Sequence, residues 1–190
     1  MRFNTEVLSA SAIFIACAVS IGFIFSSVPN LELMTATIFL GGYVLGRVCG
    51  LVIGFFSALL WSSLNPWGSG LAYPSILAAQ TISFAVAGFS GGIIRLIVNP
   101  SKLGLKSLII LALSGFILTA FYDIVTNLGS IFFSGFELKM MRNILIAGIP
   151  LSFFHIAVNT LVFFTILPSL IKTLNKSGFL NKYFGKNRIL

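Results

Sequence analysis

The chain has 190 residues, of which 57% are hydrophobic and 8% are charged, and its mean hydropathy is +1.05. Soluble globular domains carry roughly 25% charged residues, so this composition excludes an ordinary soluble domain. The formal net charge is +8, but too few basic residues lie near one another to form a nucleic-acid-binding face. The composition therefore predicts an integral membrane protein with about six or seven spans of roughly 20 residues.

Apolar segments separated by polar residues, glycine or proline predict six membrane-spanning helices in a single domain, residues 1–190. The first segment is too long for the hydrophobic region of a signal peptide, so we expect it to be retained. The stretch 31–64 is too long for one span, and Arg47 divides it into two short helices. The predicted helices cover about 7–25, 31–46, 48–64, 74–97, 105–133 and 144–171, followed by a basic cytoplasmic tail, 172–190.

The distribution of basic residues predicts that both termini are cytoplasmic. With six spans in this orientation, ten of the twelve Lys and Arg residues lie on the cytoplasmic side, and only Lys139 and Arg142 lie outside. Such a bias is the pattern expected for cytoplasmic loops of membrane proteins. We therefore predict a compact all-α bundle in the cell membrane, with a basic tail that contacts lipid headgroups.

Polar side chains inside the spans are the candidate binding residues, since each is costly in a membrane unless paired or solvated. Asp123 and Asn127 share a face of the fifth span, and His155 and Asn159 repeat that spacing in the sixth. The second and fourth spans add Glu32, Thr35 and Gln80. The predicted topology places this group in the outer half of the membrane, with Asn159 nearer the midplane.

A polar pocket on one side favours capture of a solute from outside, because a channel needs polar groups along its whole length. The alternative is that these side chains only join helices through hydrogen bonds. The external loop 65–73 adds Asn65, Trp67 and Tyr73, although Trp and Tyr are also typical of the aromatic belt at the membrane interface. A single histidine without paired cysteines does not predict a zinc site, and no serine has a nucleophile motif. We therefore predict no enzyme activity, no metal and no cofactor.

Small residues recur at spacings that allow close helix packing. Ala12 and Ala16 form such a face on the first span. Glycines recur every four residues in spans two to four and are interpreted as packing within the molecule: Gly42, Gly46, Gly50, Gly54, Gly88 and Gly92. The alanine face is instead predicted to contact a partner protein.

The order of several motifs resembles the substrate-binding S components of energy-coupling factor (ECF) vitamin transporters. The motifs are the alanine face, the segment Pro29 to Thr35, Asn65-Pro66-Trp67-Gly68, Tyr122 to Gly129, and His155 to Asn159 followed by Leu167-Pro168. The resemblance covers essentially the whole chain. It implies a six-helix bundle that binds a vitamin or precursor, docks through Ala12 and Ala16 on a membrane T component, and depends on two cytoplasmic ATPases.

The charge of the pocket narrows the expected ligand. No Lys or Arg accompanies the polar side chains inside the spans, so a carboxylate ligand would lack a buried countercharge. This favours a neutral or cationic ring, such as a thiamine-like or pyridoxine-like compound, or cobalamin and its benzimidazole precursor. Family likeness favours the cobalamin group. The alternatives are a stand-alone small-solute carrier or channel, and a membrane scaffold that transports nothing.

Overall fold

The computed structural model describes residues 5–28, 31–66 and 68–184, and in this part of the chain the regular elements are all helices. This confirms the predicted fold class at the level of an all-α protein. The described helices are α1 Thr5–Phe25, α2 Met34–Leu45, α3 Arg47–Ser63, α4 Pro74–Ile94, α5 Leu105–Phe133, α6 Leu138–Lys176 and α7 Phe179–Phe184, with a short 3-10 turn at Gly70–Ala72.

Four of the described helices, α1, α4, α5 and α6, are long and apolar enough to cross a membrane by length and composition. The other two apolar helices are shorter, with 12 residues in α2 and 17 in α3. At 1.5 Å per residue they reach about 18 Å and about 26 Å, against a hydrocarbon core of about 30 Å. The structure therefore supports a helical membrane protein with four full-length candidate spans, two fewer than the sequence predicts.

The stretch 31–64 is divided into two helices, as predicted, but the break is at Gly46 and not at Arg47, which is the first residue of α3. Gly46 has φ 98°, a left-handed conformation that a residue with a side chain rarely adopts. Its amide still donates to the carbonyl of Gly42, and the amide of Gly50 donates to the carbonyl of Gly46. Gly46 thus accepts the first hydrogen bond of α3 and donates the last one of α2.

The predicted bounds of the second helix need a small correction. The prediction begins this helix at residue 31, whereas α2 begins at Met34. The side chain of Glu32 explains the difference, because its Oε2 accepts a hydrogen bond from the amide of Thr35 at 2.8 Å. Glu32 thus occupies a capping position before the helix. The predicted fifth helix agrees with α5, Leu105–Phe133.

The prediction for the sixth helix is wrong at both ends. α6 runs from Leu138 to Lys176 instead of from 144 to 171, so Lys139 and Arg142 lie in its first turns and not in a loop. The first part of the predicted tail is also helical. The backbone leaves the helical region at Gly135 and again at Gly178, both with positive φ, and these glycines set the limits of the element.

Glycines bring the central helices into backbone contact. α4 packs against α2, α3 and α5. A Cβ atom on Gly42 or on Gly50 would overlap the carbonyl of Gly88, and one on Gly54 would overlap the carbonyl of Phe84. The interpretation of the glycine repeat as packing within the molecule is confirmed at these positions.

One end of the bundle gathers α7 and the start of α1. Glu6 of α1 and Lys182 of α7 form an ion pair at 3.5 Å. Arg95, which follows α4, is buried here and donates to the carbonyls of Val44 and Tyr183 at 3.1 and 3.0 Å. The guanidinium thereby satisfies a carbonyl in the last turn of α2, which has no partner within its own helix, and ties α7 to the bundle. We call this end the α7 end.

Candidate functional site

Four of the predicted binding residues form one hydrogen-bonded cluster, which we call the polar cluster. It consists of Glu32 before α2, Asp123 in α5, and His155 and Asn159 on α6. His155 Nδ1 lies 2.8 Å from Asp123 Oδ1, and Asn159 Nδ2 donates to Glu32 Oε1 at 2.9 Å. Because His155 and Asn159 are four residues apart on one helix, both side chains reach the same buried region.

The hydrogen bonds of the cluster match the imidazole tautomer that carries its proton on Nδ1. Asn159 Nδ2 also lies 3.1 Å from His155 Nε2. An amide nitrogen donates and never accepts, so Nε2 is the acceptor and the ring proton resides on Nδ1. His155 therefore donates from Nδ1 to Asp123, while the distance of 3.6 Å from Nε2 to Glu32 Oε1 is longer than a hydrogen bond.

Two acceptor atoms of the cluster remain unused. Asp123 Oδ2 and Asn159 Oδ1 are buried and have no hydrogen-bond partner among the residues that the structure describes. Buried polar atoms of native proteins almost always have a partner, and an unpaired one in a low-dielectric environment is costly. The cluster therefore has hydrogen-bonding capacity beyond what its own members satisfy.

A cavity of about 260 Å³ adjoins the polar cluster. Glu32 and His155 line it, so the cluster presents one carboxylate and one imidazole to the cavity. Asn65 and Gln80 supply two amides on other parts of the wall. Gln80 is held by Ser62, whose hydroxyl donates to its Oε1. The cavity thus brings together four predicted binding residues from four separate segments of the chain.

Aromatic rings form much of the remaining wall. The lining includes Phe25, Trp61, Phe84 and Tyr122. The ring of Tyr122 lies edge-on to that of His155, with centroids 5.7 Å apart, and at 5.1 Å from that of Phe84. Flat apolar surfaces beside a few polar groups are typical of sites that bind small ring compounds.

The charge of the site favours a cationic or neutral ligand. Glu32 and Asp123 place two carboxyl groups beside a single imidazole, so acidic groups outnumber the basic one in the cluster. Among the described residues that line the cavity there is no Lys or Arg. Aromatic faces also attract cations. A carboxylate ligand would meet repulsion here and no compensating charge.

The cavity lies at the end of the bundle opposite the α7 end. Its wall includes Gly22 and Phe25 from the last turns of α1, whereas the ion pair of Glu6 with α7 involves the first turn of α1. Glu6 is 16 to 19 residues from Gly22 and Phe25 on this helix, which separates the two groups by about 24–28 Å at 1.5 Å per residue. The cavity and the α7 end therefore face opposite sides of any membrane that α1 crosses.

Other predicted binding residues lie outside the lining. Asn127 faces α6, where a Cβ atom on Gly148 would lie 3.2 Å from its Oδ1. Tyr73 is exposed, and its ring packs edge-on against Phe133 at 4.9 Å. Thr35 is buried and takes part through its backbone amide. Trp67 lies outside the described residues.

Sequence reasoning missed the aromatic wall. Trp61 and Tyr122 line the cavity, but the chain contains 20 Phe, four Tyr and two Trp residues, so no aromatic position stands out in the sequence. The adjacency of Tyr122 to Asp123 was the one available signal. Met34 and Phe84 carried no signal that distinguished them from core residues.

The predicted docking residues lie on the outside of the bundle. Ala12 and Ala16 are exposed on α1, whereas Ala10, Ala18 and Gly22 on the same helix are buried. The two alanines therefore face away from α2 and α3, against which α1 packs. Among the described residues, no group of three or more His, Cys, Asp and Glu side chains is arranged to hold a metal ion.

Comparison with known proteins assigns no family to the chain. No family model matches it. No curated protein and no solved structure matches it either.

Proposed function

We propose that this protein is the substrate-binding subunit of an ECF-type importer and captures a vitamin or vitamin precursor from outside the cell. The observation that carries the proposal is the cavity that Glu32 and His155 line together with Trp61 and Tyr122. A cavity with aromatic walls and a few convergent polar groups is the usual form of a small-molecule site. The resemblance of the sequence motifs to S components adds the transport role.

The proposed topology has six spans, with α2 and α3 as two short ones. Both helices are apolar, and α2 is almost entirely buried among the others. A helix shorter than the hydrocarbon core is accommodated by local thinning of the bilayer or by flanking residues that reach the interface. In this arrangement the termini and the α7 end are cytoplasmic, and the cavity opens toward the outer side.

The proposed ligand is a small neutral or cationic ring. The cavity volume of about 260 Å³ lies just below the range of roughly 300–1,000 Å³ that is common for ligand pockets. This size supports a compound of one or two rings, such as a benzimidazole, pyridoxine or thiamine, over a complete cobalamin, which is far larger. The carboxylate of Glu32 would provide the countercharge or accept a hydrogen bond.

Transport would require docking on a membrane T component and energy from two cytoplasmic ATPases. The exposed alanines of α1 support this part of the proposal, since small residues let a partner helix approach closely. A scaffold without ligand is the second candidate. It is favoured by the hydrogen bonds from α6 to Asp123 and Glu32, which join helices whether or not a ligand is present.

A thermal-shift experiment on the purified protein tests the proposal. Thiamine, pyridoxine and 5,6-dimethylbenzimidazole form one group of probes, and biotin and pantothenate form the matched group of carboxylates. A ligand at a hundredfold excess over its Kd stabilises the folded protein by about 2.7 kcal/mol. We expect at least one compound of the first group to raise the Tm and none of the second. A Tm that no ring compound changes would favour the scaffold.

A further inference from the structure

A second cavity lies near the α7 end, between the segment that joins α4 to α5 and the C-terminal part of α6. Its volume is about 460 Å³. Lys172 and Lys176 of α6 form its basic side, and Ser101 and Asn175 are polar members of the wall. Leu103, Leu108 and Pro168 make the rest of the wall apolar. We call this cavity the basic groove.

The two lysines present their charges to the groove together. They are four residues apart on one helix, so they share a face. Both are exposed. Among the described residues, Lys182 forms an ion pair with Glu6, whereas no carboxylate pairs with Lys172 or Lys176. The groove therefore holds two positive charges that no acidic side chain compensates.

The groove has polar groups that suit a phosphate. Asn175 Nδ2 lies 3.4 Å from the hydroxyl of Ser101, so the two walls meet at this contact. Hydroxyl and amide donors beside two ammonium groups match the several acceptor oxygens of a phosphate. The groove thus combines charge with directed hydrogen-bond donors.

The position of the groove brings it to the membrane surface. α6 has 39 residues and reaches about 58 Å, well beyond a hydrocarbon core of about 30 Å, so it extends past the hydrocarbon region. Lys172 and Lys176 lie in its last turns, and long basic side chains at helix ends reach the headgroup region. Leu105 and Ile109, in the same turns of α5 as the lining residue Leu108, are exposed. An acyl chain can lie along these side chains while its headgroup enters the groove.

We propose that the basic groove binds the headgroup phosphate of an anionic phospholipid. The ammonium groups of Lys172 and Lys176 donate to the phosphate oxygens, and the apolar wall contacts the start of the acyl chains. Basic pockets between helices at the cytoplasmic side of a membrane are suited to such headgroups. Inorganic phosphate offers the same oxygens but no chain for the apolar wall, which favours the lipid.

Native mass spectrometry of the full chain, released from nanodiscs of phosphatidylcholine and phosphatidylglycerol, tests the proposal. We expect the protein to retain phosphatidylglycerol in preference to phosphatidylcholine. The double variant Lys172→Gln/Lys176→Gln should lower this preference by roughly thirtyfold, as the loss of two charge contacts at an anionic surface predicts. Each single variant should lower it about fivefold, which provides the test if the double variant does not fold.

Two controls make the result decisive. Lys102→Gln/Lys106→Gln removes the same charge from the same end of the protein without touching the lining, and we expect it to lower the preference at least fivefold less than the groove variant does, because its lysines do not line the groove. Lys172→Arg/Lys176→Arg should keep the lipid. Equal losses in both glutamine variants would reduce the effect to general surface charge and overturn the proposal. Displacement of phosphatidylglycerol by excess inorganic phosphate would also overturn it, because the site would then belong to a soluble anion.

Discussion

Asp123 orients the His155 side chain that lines the cavity. It accepts the Nδ1 proton of that ring at 2.8 Å but does not itself line the cavity. A carboxylate that accepts a hydrogen bond from one nitrogen of an imidazole fixes the orientation of the ring and leaves the other nitrogen to contact the cavity. Asp123 is therefore a positioning residue for His155 and also joins α5 to α6.

Replacing Asp123 should separate its charge from its role as an acceptor. Asp123→Ala leaves His155 Nδ1 without a partner, so we expect a loss of about 1–3 kcal/mol in the free energy of unfolding. Asp123→Asn keeps an acceptor oxygen, so we expect it to lower the free energy of unfolding by less than half as much as Asp123→Ala. Denaturant unfolding of the purified protein in detergent measures both.

Asn127→Ala serves as the matched control for these variants. Asn127 lies one turn further along α5, near Gly148. Because it is outside the polar cluster, we expect its replacement by alanine to lower the free energy of unfolding by less than about 0.5 kcal/mol. Equal losses in Asp123→Ala and Asn127→Ala would contradict the assigned role of the hydrogen bond to His155.

How far the sequence predicts the site depends on the kind of residue. Charged and amide side chains inside apolar spans are rare, so Glu32, Asp123, His155 and Asn159 are visible as candidates, and they do come together. Helical spacing alone does not determine what a residue contacts: Asn127 shares a face with Asp123 but lies near Gly148 of α6, outside the polar cluster. Phe84 could not be predicted, because aromatic residues occur in the core, on the lipid-facing surface and in the cavity alike.

For the helices too, features that depend on nearby residues could be predicted, whereas features that depend on tertiary contacts could not. The charge of Arg47 correctly predicted that two helices divide this stretch, although the break itself is at the neighbouring Gly46. The length of α6 was underestimated because hydropathy locates only the apolar part of a helix, and α6 continues into polar residues at both ends. The closeness of α3 and α4 depends on pairs of glycines that are distant in the sequence.

The crossing of α3 and α4 should tolerate no added methyl group. A Cβ atom on Gly88 would overlap the backbone of Gly50, which no side-chain movement relieves. We expect Gly88→Ala to destabilise the protein by about 1–3 kcal/mol, the range for overpacking. Gly104→Ala is the matched control, since nothing lies within 4 Å of a Cβ there. A thermal melt in which both variants match the unchanged protein would refute the close crossing.

The exposed alanine face of α1 should matter for transport and not for folding. We expect Ala12→Leu/Ala16→Leu to keep the Tm within a few degrees, because both positions are exposed. Uptake of ligand by cells that contain the energising subunits should fall at least tenfold, since larger side chains prevent close helix contact. Ala147→Leu/Ala157→Leu changes two exposed alanines of α6 in the same way and should leave uptake intact. Normal uptake by the α1 variant would remove the docking role.

The arrangement of the whole molecule predicts which surfaces face the cell interior. The cavity and the α7 end lie at opposite ends of α1, and the basic residues favour a cytoplasmic α7 end. Single cysteines can be introduced into a variant without Cys17 and Cys49. A cysteine at Ala72 should react with a membrane-impermeant maleimide added outside the cell. A cysteine at Asn181 should react only after the membrane is permeabilised. Both positions are exposed. Labelling of both from the same side would contradict the topology.

Mass spectrometry of small molecules released from the purified protein tests the central claim most directly. The unchanged protein should release a neutral or cationic ring compound that Glu32→Gln releases at a level at least tenfold lower, because loss of a charge contact in a buried site costs on the order of 1.4 kcal/mol or more. Glu137→Gln changes an exposed glutamate outside the cavity and should release as much as the unchanged protein. Release of no ring compound from any of the three proteins, or equal release from all of them, would contradict the assignment of the cavity as the binding site.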